Sequence, residues 1–244
     1  MSGADLHADH RLRLAIANNA CWCDLVCAAH GSPGLFREGF WFNPGPSPRA
    51  YPNLITLSAA EAEDQLAQIA RLDPDLAPGW GVKDSFAALD LRSLGFEAAL
   101  EGRWVSWLPG PWPADPDVEW LRISNADGLA AWETAWRGLG RTVRVREFPD
   151  DLLTADGVAV FAGVRAGRIV AGCVANRAAG AVGLSNLFVM DDQVARLRRG
   201  CLGLVSDFGA GLPVVGWEPV DDMADPGQPA HQILGPLRVW SRKA

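Results

Sequence analysis

The stretch AGCVANRAAGAVGLSNLFV, residues 171–189, decides the fold. It holds two apolar, β-compatible runs separated by a turn at Arg177–Gly180. It therefore predicts strands over Arg168–Asn176 and Ala181–Val189. Just upstream, Val158–Arg165 reads as a third strand, and Ala166-Gly167 as a two-residue hairpin turn into the next. Downstream the pattern changes period. Gln193–Phe208 reads as a helix, Leu212–Trp217 as a strand and Ile233–Trp240 as a closing strand. A helix over Asp221–Ala230 is expected to be short or broken, because Pro226, Gly227 and Pro229 lie inside it.

Working back toward the N-terminus, Val118–Ile123 reads as a strand. Ser124 or Asn125 then caps a helix over Asp127–Leu139. Trp132 and Trp136 share one face of that helix and fit a core better than a stacking platform. The second half thus runs β-α-β-β-β-α-β-α-β. That order implies an α+β fold, a mixed and mostly antiparallel sheet flanked by helices.

Residues 109–116, PGPWPADP, cannot be a helix or a central strand. They mark a Pro-rich linker at 111–117 between a lobe at 1–110 and a domain at 118–244. In the first lobe, residues 11–29 read as a helix ended by His30-Gly31-Ser32-Pro33-Gly34. A loop with Trp41 and Pro44, Pro46, Pro48 and Pro52 follows. Asn53–Leu57 is expected as a strand. Ser58 and Glu61 form a capping box for a helix to about Leu72. Gly79–Ser85 and Phe96–Leu108 read as strands. Trp104 and Trp107 fall on opposite faces of the latter, so one of them faces solvent or the other lobe.

The two halves echo each other. GWGVKD at 79–84 and GWEPVD at 216–221 are each followed by Leu-Gly (Leu94-Gly95 and Leu234-Gly235). Each then leads to a Trp-bearing strand, RWVSW at 103–107 and RVW at 238–240. Chance is one explanation, helped by eleven tryptophans. The other is two tandem lobes, the first incomplete and lacking the middle strands.

Composition narrows the function classes. Net charge is −7, with 8 basic and 13 acidic residues up to Gly110 and 14 and 16 after it. No basic tract marks a nucleic-acid surface. No apolar run is long enough for a membrane span, and no signal peptide is visible, so the cytoplasm is the expected location. Five cysteines, three of them within residues 21–27, do not make a secreted disulfide framework. Cys23, Cys27 and His30 share a helical face, but no second ligand pair accompanies them, and a buried face is expected rather than a metal site.

The strand order of 118–244 and the run at 171–189 resemble the GCN5-related N-acetyltransferase (GNAT) superfamily. Residues 171–189 look like the family's third and fourth strands, LPVVGWE at 212–218 like its fifth, and ILGPLRVW at 233–240 like a closing strand. The resemblance implies an acyl-CoA-dependent N-acyltransferase that moves an acetyl group from acetyl-CoA to an amine of a small molecule or peptide. It implies that the backbone of Asn186, Leu187, Phe188 and Val189 pairs with the pantetheine arm of acetyl-CoA or another acyl-CoA. The pyrophosphate would lie on the start of the next helix. There the family's glycine-rich loop is absent, and Met190-Asp191-Asp192-Gln193 stands in its place. Arg196, Arg199 and Gly200 are the residues left to meet the phosphates. Glu218 is the candidate general base. Its alternative is a solvated strand-end carboxylate. The family's usual tyrosine acid is missing, since Tyr51 is the sole tyrosine and lies in the first lobe. Cys201 fits a buried thiol better than an acid. The second reading is a non-catalytic GNAT-like binding or scaffold protein that has lost the cofactor. A homodimer is open, because Trp-rich strands pack equally well lobe on lobe or subunit on subunit.

Overall fold

The computed structural model describes residues 3–60, 62–72, 79–108, 112, 115–138, 146–220 and 230–242. These fall into two compact units. The first comprises Met1–Val105, Trp217–Met223 and Ile233–Ala244, the second Ser106–Gly216 and Ala224–Gln232. This division differs from the sequential one expected at 111–117, of which 111, 113 and 114 lie outside the described residues. The last strand of the chain joins the first unit because its hydrogen-bonding partner is there.

The first unit opens with α1 (Gly3–Ala29), longer than the 11–29 expected. A hairpin follows, β1 (Leu35–Arg37) and β2 (Phe40–Phe42), in the segment expected to be loop. Gly39, at φ +80°, supplies the left-handed residue of its turn. Then come β3 (Leu54–Thr56), α2 (Ala62–Leu72), β4 (Gly81–Asp84), a 3-10 turn at Arg92–Leu94 and β5 (Phe96–Trp107). The closing strand, β11 (His231–Arg242), lies between β4 and β5, so the strand order is β1-β2-β3-β4-β11-β5. Leu54, Ile69, Trp80, Val82, Leu89, Leu91, Phe96 and Trp240 form the core beneath it. Ser58 Oγ accepts the Ala60 N–H at 3.1 Å, a tight turn ahead of α2; Glu61 of the expected capping box lies outside the described residues.

The second unit carries β6 (Glu119–Ile123), α3 (Ala126–Arg137), β7 (Val158–Arg165), β8 (Arg168–Ala178), β9 (Ala181–Val189), α4 (Val194–Gly209) and the first half of β10 (Val214–Pro219). Its strand order is β10-β9-β8-β7-β6. Asn125 is the cap of α3, its Oδ1 accepting the Gly128 N–H at 2.8 Å. Trp132 is fully buried in this unit's core. Its Nε1 donates to the Phe161 carbonyl at 2.8 Å, and its ring meets Phe148 and Phe188 edge-on at 5.2 and 5.4 Å. The helix expected over Asp221–Ala230 lies outside the described residues but for its last residue.

The order of elements repeats. Strands β1, β2 and β3 pair antiparallel, α2 follows, and β4 returns parallel to β3 before β5. Strands β7, β8 and β9 pair antiparallel, α4 follows, and β10 returns parallel to β9 before β11. The two arms of the sequence echo fall at corresponding elements but not in register: Gly79-Trp80 and Leu94-Gly95 precede β4 and β5, whereas Gly216-Trp217 and Leu234-Gly235 lie inside β10 and β11. The first series does not lack its middle strands, as expected from sequence; the β1–β2 hairpin supplies them in shortened form.

Candidate functional site

Strand β9 is the distinctive element. Its pairing with β10 is confined to Val182 and Gly183, opposite Val214 and Val215. Past Gly183 the parallel ladder with β10 ends, while β9 itself runs on to Val189. On its other side the ladder with β8 slips: Gly172 faces Phe188, but Val174 faces Ser185. Two residues, Asn186 and Leu187, thus oppose the single Cys173. This is a β-bulge, which turns backbone out of the ladder and bends the strand. Asn186 sits at φ +51°, a conformation that asparagine tolerates better than most residues. Ser185 through Val189 are all half-buried. The bulge is packed from behind. A Cβ on Gly172 would collide with Trp132 Nε1 and lie 2.6 Å from Phe188 Cε1, so only glycine lets Phe188 sit there.

The start of α4 follows directly. Gln193 is its N-cap residue and no side chain caps the helix. Its first backbone N–H groups therefore point outward with the positive end of the helix dipole. The aspartates that replace a glycine loop are not alike. Asp191 accepts the Gln193 N–H at 3.0 Å through Oδ1 and pairs with Arg165 Nη1 through Oδ2. Hydrogen bonding with the Asp192 side chain, then the Gln193 N–H and the Arg165 guanidinium, hold the Asp191 carboxyl below its ordinary range. Asp192 is exposed. Arg165, at the end of β7, also donates to Asp115 Oδ2 at 3.2 Å. The Asp115 side chain is only 1% exposed. Arg196 is 57% exposed, bonded to Gln193 Oε1 at 3.1 Å and 3.7 Å from Asp115. Arg199 is half-buried with no hydrogen bond or ion pair among the described residues. Gly200 is the seventh residue of α4, buried under the Trp120 ring, whose Cε2 would lie 2.7 Å from an added Cβ. It serves packing and is not at the helix start.

Asn186 to Val189, Arg196, Arg199 and Gly200 thus belong to the second unit, and Glu218, on the latter half of β10, to the first. Glu218 is 7% exposed, so the alternative of a solvated strand-end carboxylate is corrected. Its burial comes from long-range neighbours, β5 among them: Val220 N–H donates to the Glu101 carbonyl at 3.1 Å, and the Gly102 backbone lies against Glu218 O and the Trp217 ring. Trp104 and Trp107 are both buried, which removes the solvent-facing alternative for either.

Other candidates resolve simply. Cys201 is fully buried and hydrogen-bonded to Cys173, whose thiol burial pushes well up. Tyr51 is buried against Trp22 in the first unit. Cys23 and Cys27 are buried, and burial pushes the Cys23 thiol up to about 12. Among the described residues no group of three or more His, Cys, Asp or Glu side chains is placed to hold a metal ion. None of the described helices is long and apolar enough to cross a membrane.

Three residues escaped sequence reasoning. Arg165 and Asp115 are 50 positions apart and only the fold joins them. Lys83 is 5% exposed on β4, its Nζ lying 4.7 Å from the Trp217 ring centroid. Its alternating strand position was the one signal available.

No family model matches the sequence, and no curated protein matches it. Solved structures do match. A functionally unknown conserved protein from Staphylococcus epidermidis aligns with a TM-score of 0.61 at 10% identity, covering 87% of this chain and 95% of that one. A GCN5-related N-acetyltransferase from Kribbella flavida aligns with a TM-score of 0.60 at 12% identity, covering 94% and 96%. An acetyltransferase from the GNAT family of Colwellia psychrerythraea aligns with a TM-score of 0.51 at 11% identity, covering 100% and 98%. At such identities the likeness is one of fold. The chain is a divergent protein with the GNAT fold.

The residues at β9 and α4 fit the arm and phosphates of an acyl-CoA unequally. A strand edge that has left the β10 ladder after Gly183 suits an amide-bearing arm. The uncapped helix start, Arg196 and Arg199 suit an anion, while Asp192 opposes it.

Proposed function

We propose that the protein is an acyl-CoA-dependent N-acyltransferase, moving an acetyl group from acetyl-CoA to an amine of a small molecule or peptide. The single observation carrying this is the edge of β9, released from β10 after Gly183 and bulged at Asn186. The cofactor supplies the activated thioester. Backbone groups of Asn186, Leu187, Phe188 and Val189 would bind its pantetheine arm as an added strand. Arg196 and the first N–H groups of α4 would meet the phosphates. Glu218 is the proposed base for the acceptor amine, directly or through a water. Its support is a carboxylate at 7% exposure on β10, two residues beyond the half of that strand that adjoins β9.

We further propose that the two series of elements are tandem GNAT-like lobes of which only the second keeps a cofactor edge. In the first, β3 ends at Thr56, and Thr56 Oγ1 accepts the Ser85 N–H at 2.8 Å, joining the ends of β3 and β4 where β9 and β10 part. One cofactor per chain follows. The second reading, a non-catalytic GNAT-like binding or scaffold protein that has lost the cofactor, has one observation in its favour: the exposed Asp192 at the start of α4.

Calorimetric titration with acetyl-CoA, followed by assay of thiol release with a panel of amines, separates these readings. One-site binding with amine-dependent release supports the enzyme. No binding at millimolar cofactor removes the enzyme and supports the second reading, and binding without release under any amine contradicts both.

A further inference from the structure

We infer that Arg165 and Asp191 set the affinity for the cofactor's phosphates: Arg165 is the phosphate-binding residue that replaces the missing glycine loop, and Asp191 is its internal competitor. The inference rests on the acyl-CoA reading above and concerns the same site.

The Asp115 carboxylate, at 1% exposure, must be paired, and Arg165 pairs it at 3.2 Å. That contact fixes the guanidinium beside the start of α4. Its second donor then has one partner, Asp191. Asp191 also takes the Gln193 N–H at 3.0 Å. One guanidinium and one backbone N–H ahead of a helix are the donors that a phosphate oxygen takes at such a position. Asp191 occupies both, so an incoming phosphate competes with it.

The charges agree. Arg165, Arg196 and Arg199 give +3, and Asp115, Asp191 and Asp192 give −3, so the sum is zero. Removing the Asp191 charge leaves +1. Asp115 stays bound to Arg165 in either case, so the guanidinium keeps its position when Asp191 is displaced. The neighbouring Asp192 bonds to Asp191 rather than to the Arg165 guanidinium, so it adds charge near the site without occupying a phosphate donor.

The test compares coenzyme A with pantetheine, which has the arm but none of the nucleotide phosphates, on Asp191→Asn and Asp192→Asn. Asparagine at 191 keeps an acceptor for the Gln193 N–H, so the turn before α4 is preserved. Coenzyme A is expected to bind Asp191→Asn about tenfold more tightly than the parent. Pantetheine affinity is expected to be unchanged, and Asp192→Asn to give a smaller gain. Three results overturn the inference: unchanged or weaker coenzyme A binding, an equal gain for pantetheine, or an equal gain from Asp192→Asn. If pantetheine binds the parent while Asp191→Asn brings no gain, this inference fails and the acyl-CoA reading stands. If neither ligand binds any form at millimolar concentration, both fail.

Discussion

Lys83 Nζ donates to Asn19 Oδ1 at 2.8 Å, between β4 and α1, and has no carboxylate partner among the described residues. It lies over the Trp217 ring and 5.9 Å from the Trp104 ring centroid, so its charge is met by aromatic faces and one amide. Desolvation pushes its pKa down. The unfolded chain therefore holds a proton that the folded chain gives up more readily. Stability from this group is lowest below the folded pKa and rises as pH climbs toward the unfolded value near 10.4. Lys83→Met is expected to flatten that alkaline rise in chemical denaturation. Its stability at pH 7 should stay within about 1 kcal/mol of the parent, since the lost buried charge offsets the partner lost to Asn19. An unchanged slope would show that Lys83 is not the group titrating.

Asn186 at φ +51° makes the β9 bulge. Replacing it by valine puts a β-branched residue where left-handed backbone costs about 1–2 kcal/mol. Asn186→Val should lose that much stability and bind acetyl-CoA more weakly, while Asn186→Gly keeps both. Equal behaviour of the two variants in thermal melts and titration would mean the bulge does not depend on residue 186.

Both long hairpins of the second unit turn on Ala-Gly. Ala166 and Ala179 sit at φ +48° and +51°, each followed by a glycine with positive φ. Asparagine or glycine suits such a first turn position better than alanine. Ala166→Asn and Ala179→Asn should each raise stability by roughly 1 kcal/mol, additively, because the turns are separate. A drop in melting temperature for either would contradict the turn geometry.

Glu218→Gln conserves shape at a buried site and removes the proposed base. Turnover with the best amine should fall roughly 10²–10⁴-fold. Acetyl-CoA affinity should not change, since Glu218 is proposed to act on the acceptor. Full activity in the variant would reassign the base.

Much of the second unit was legible from sequence because its signals are local. The three strands over 158–189 alternate around short turns, and Asn125 is followed at once by the helix it caps. The β1–β2 hairpin was not, although Glu38-Gly39 lies between Phe36 and Phe40. Four prolines follow it closely, and strands of three residues carry little periodicity. The parts of the site that escaped depend on distant pairing. Arg165 meets Asp115 and Asp191 only once β7 and α4 are assembled, and Glu218 is buried by strands more than 100 residues earlier in the chain. The aspartates at 191 and 192 looked equivalent as sequence, and an arginine 26 residues away distinguishes them.

Amide hydrogen exchange at Asn186–Val189, with and without acetyl-CoA, reports whether the cofactor arm pairs with this edge of β9. Saturating cofactor is expected to slow exchange along this run and to leave Leu54–Thr56 of β3 unaffected. Unchanged exchange at 186–189 with the cofactor in millimolar excess, or protection at β3 in its place, would contradict that pairing.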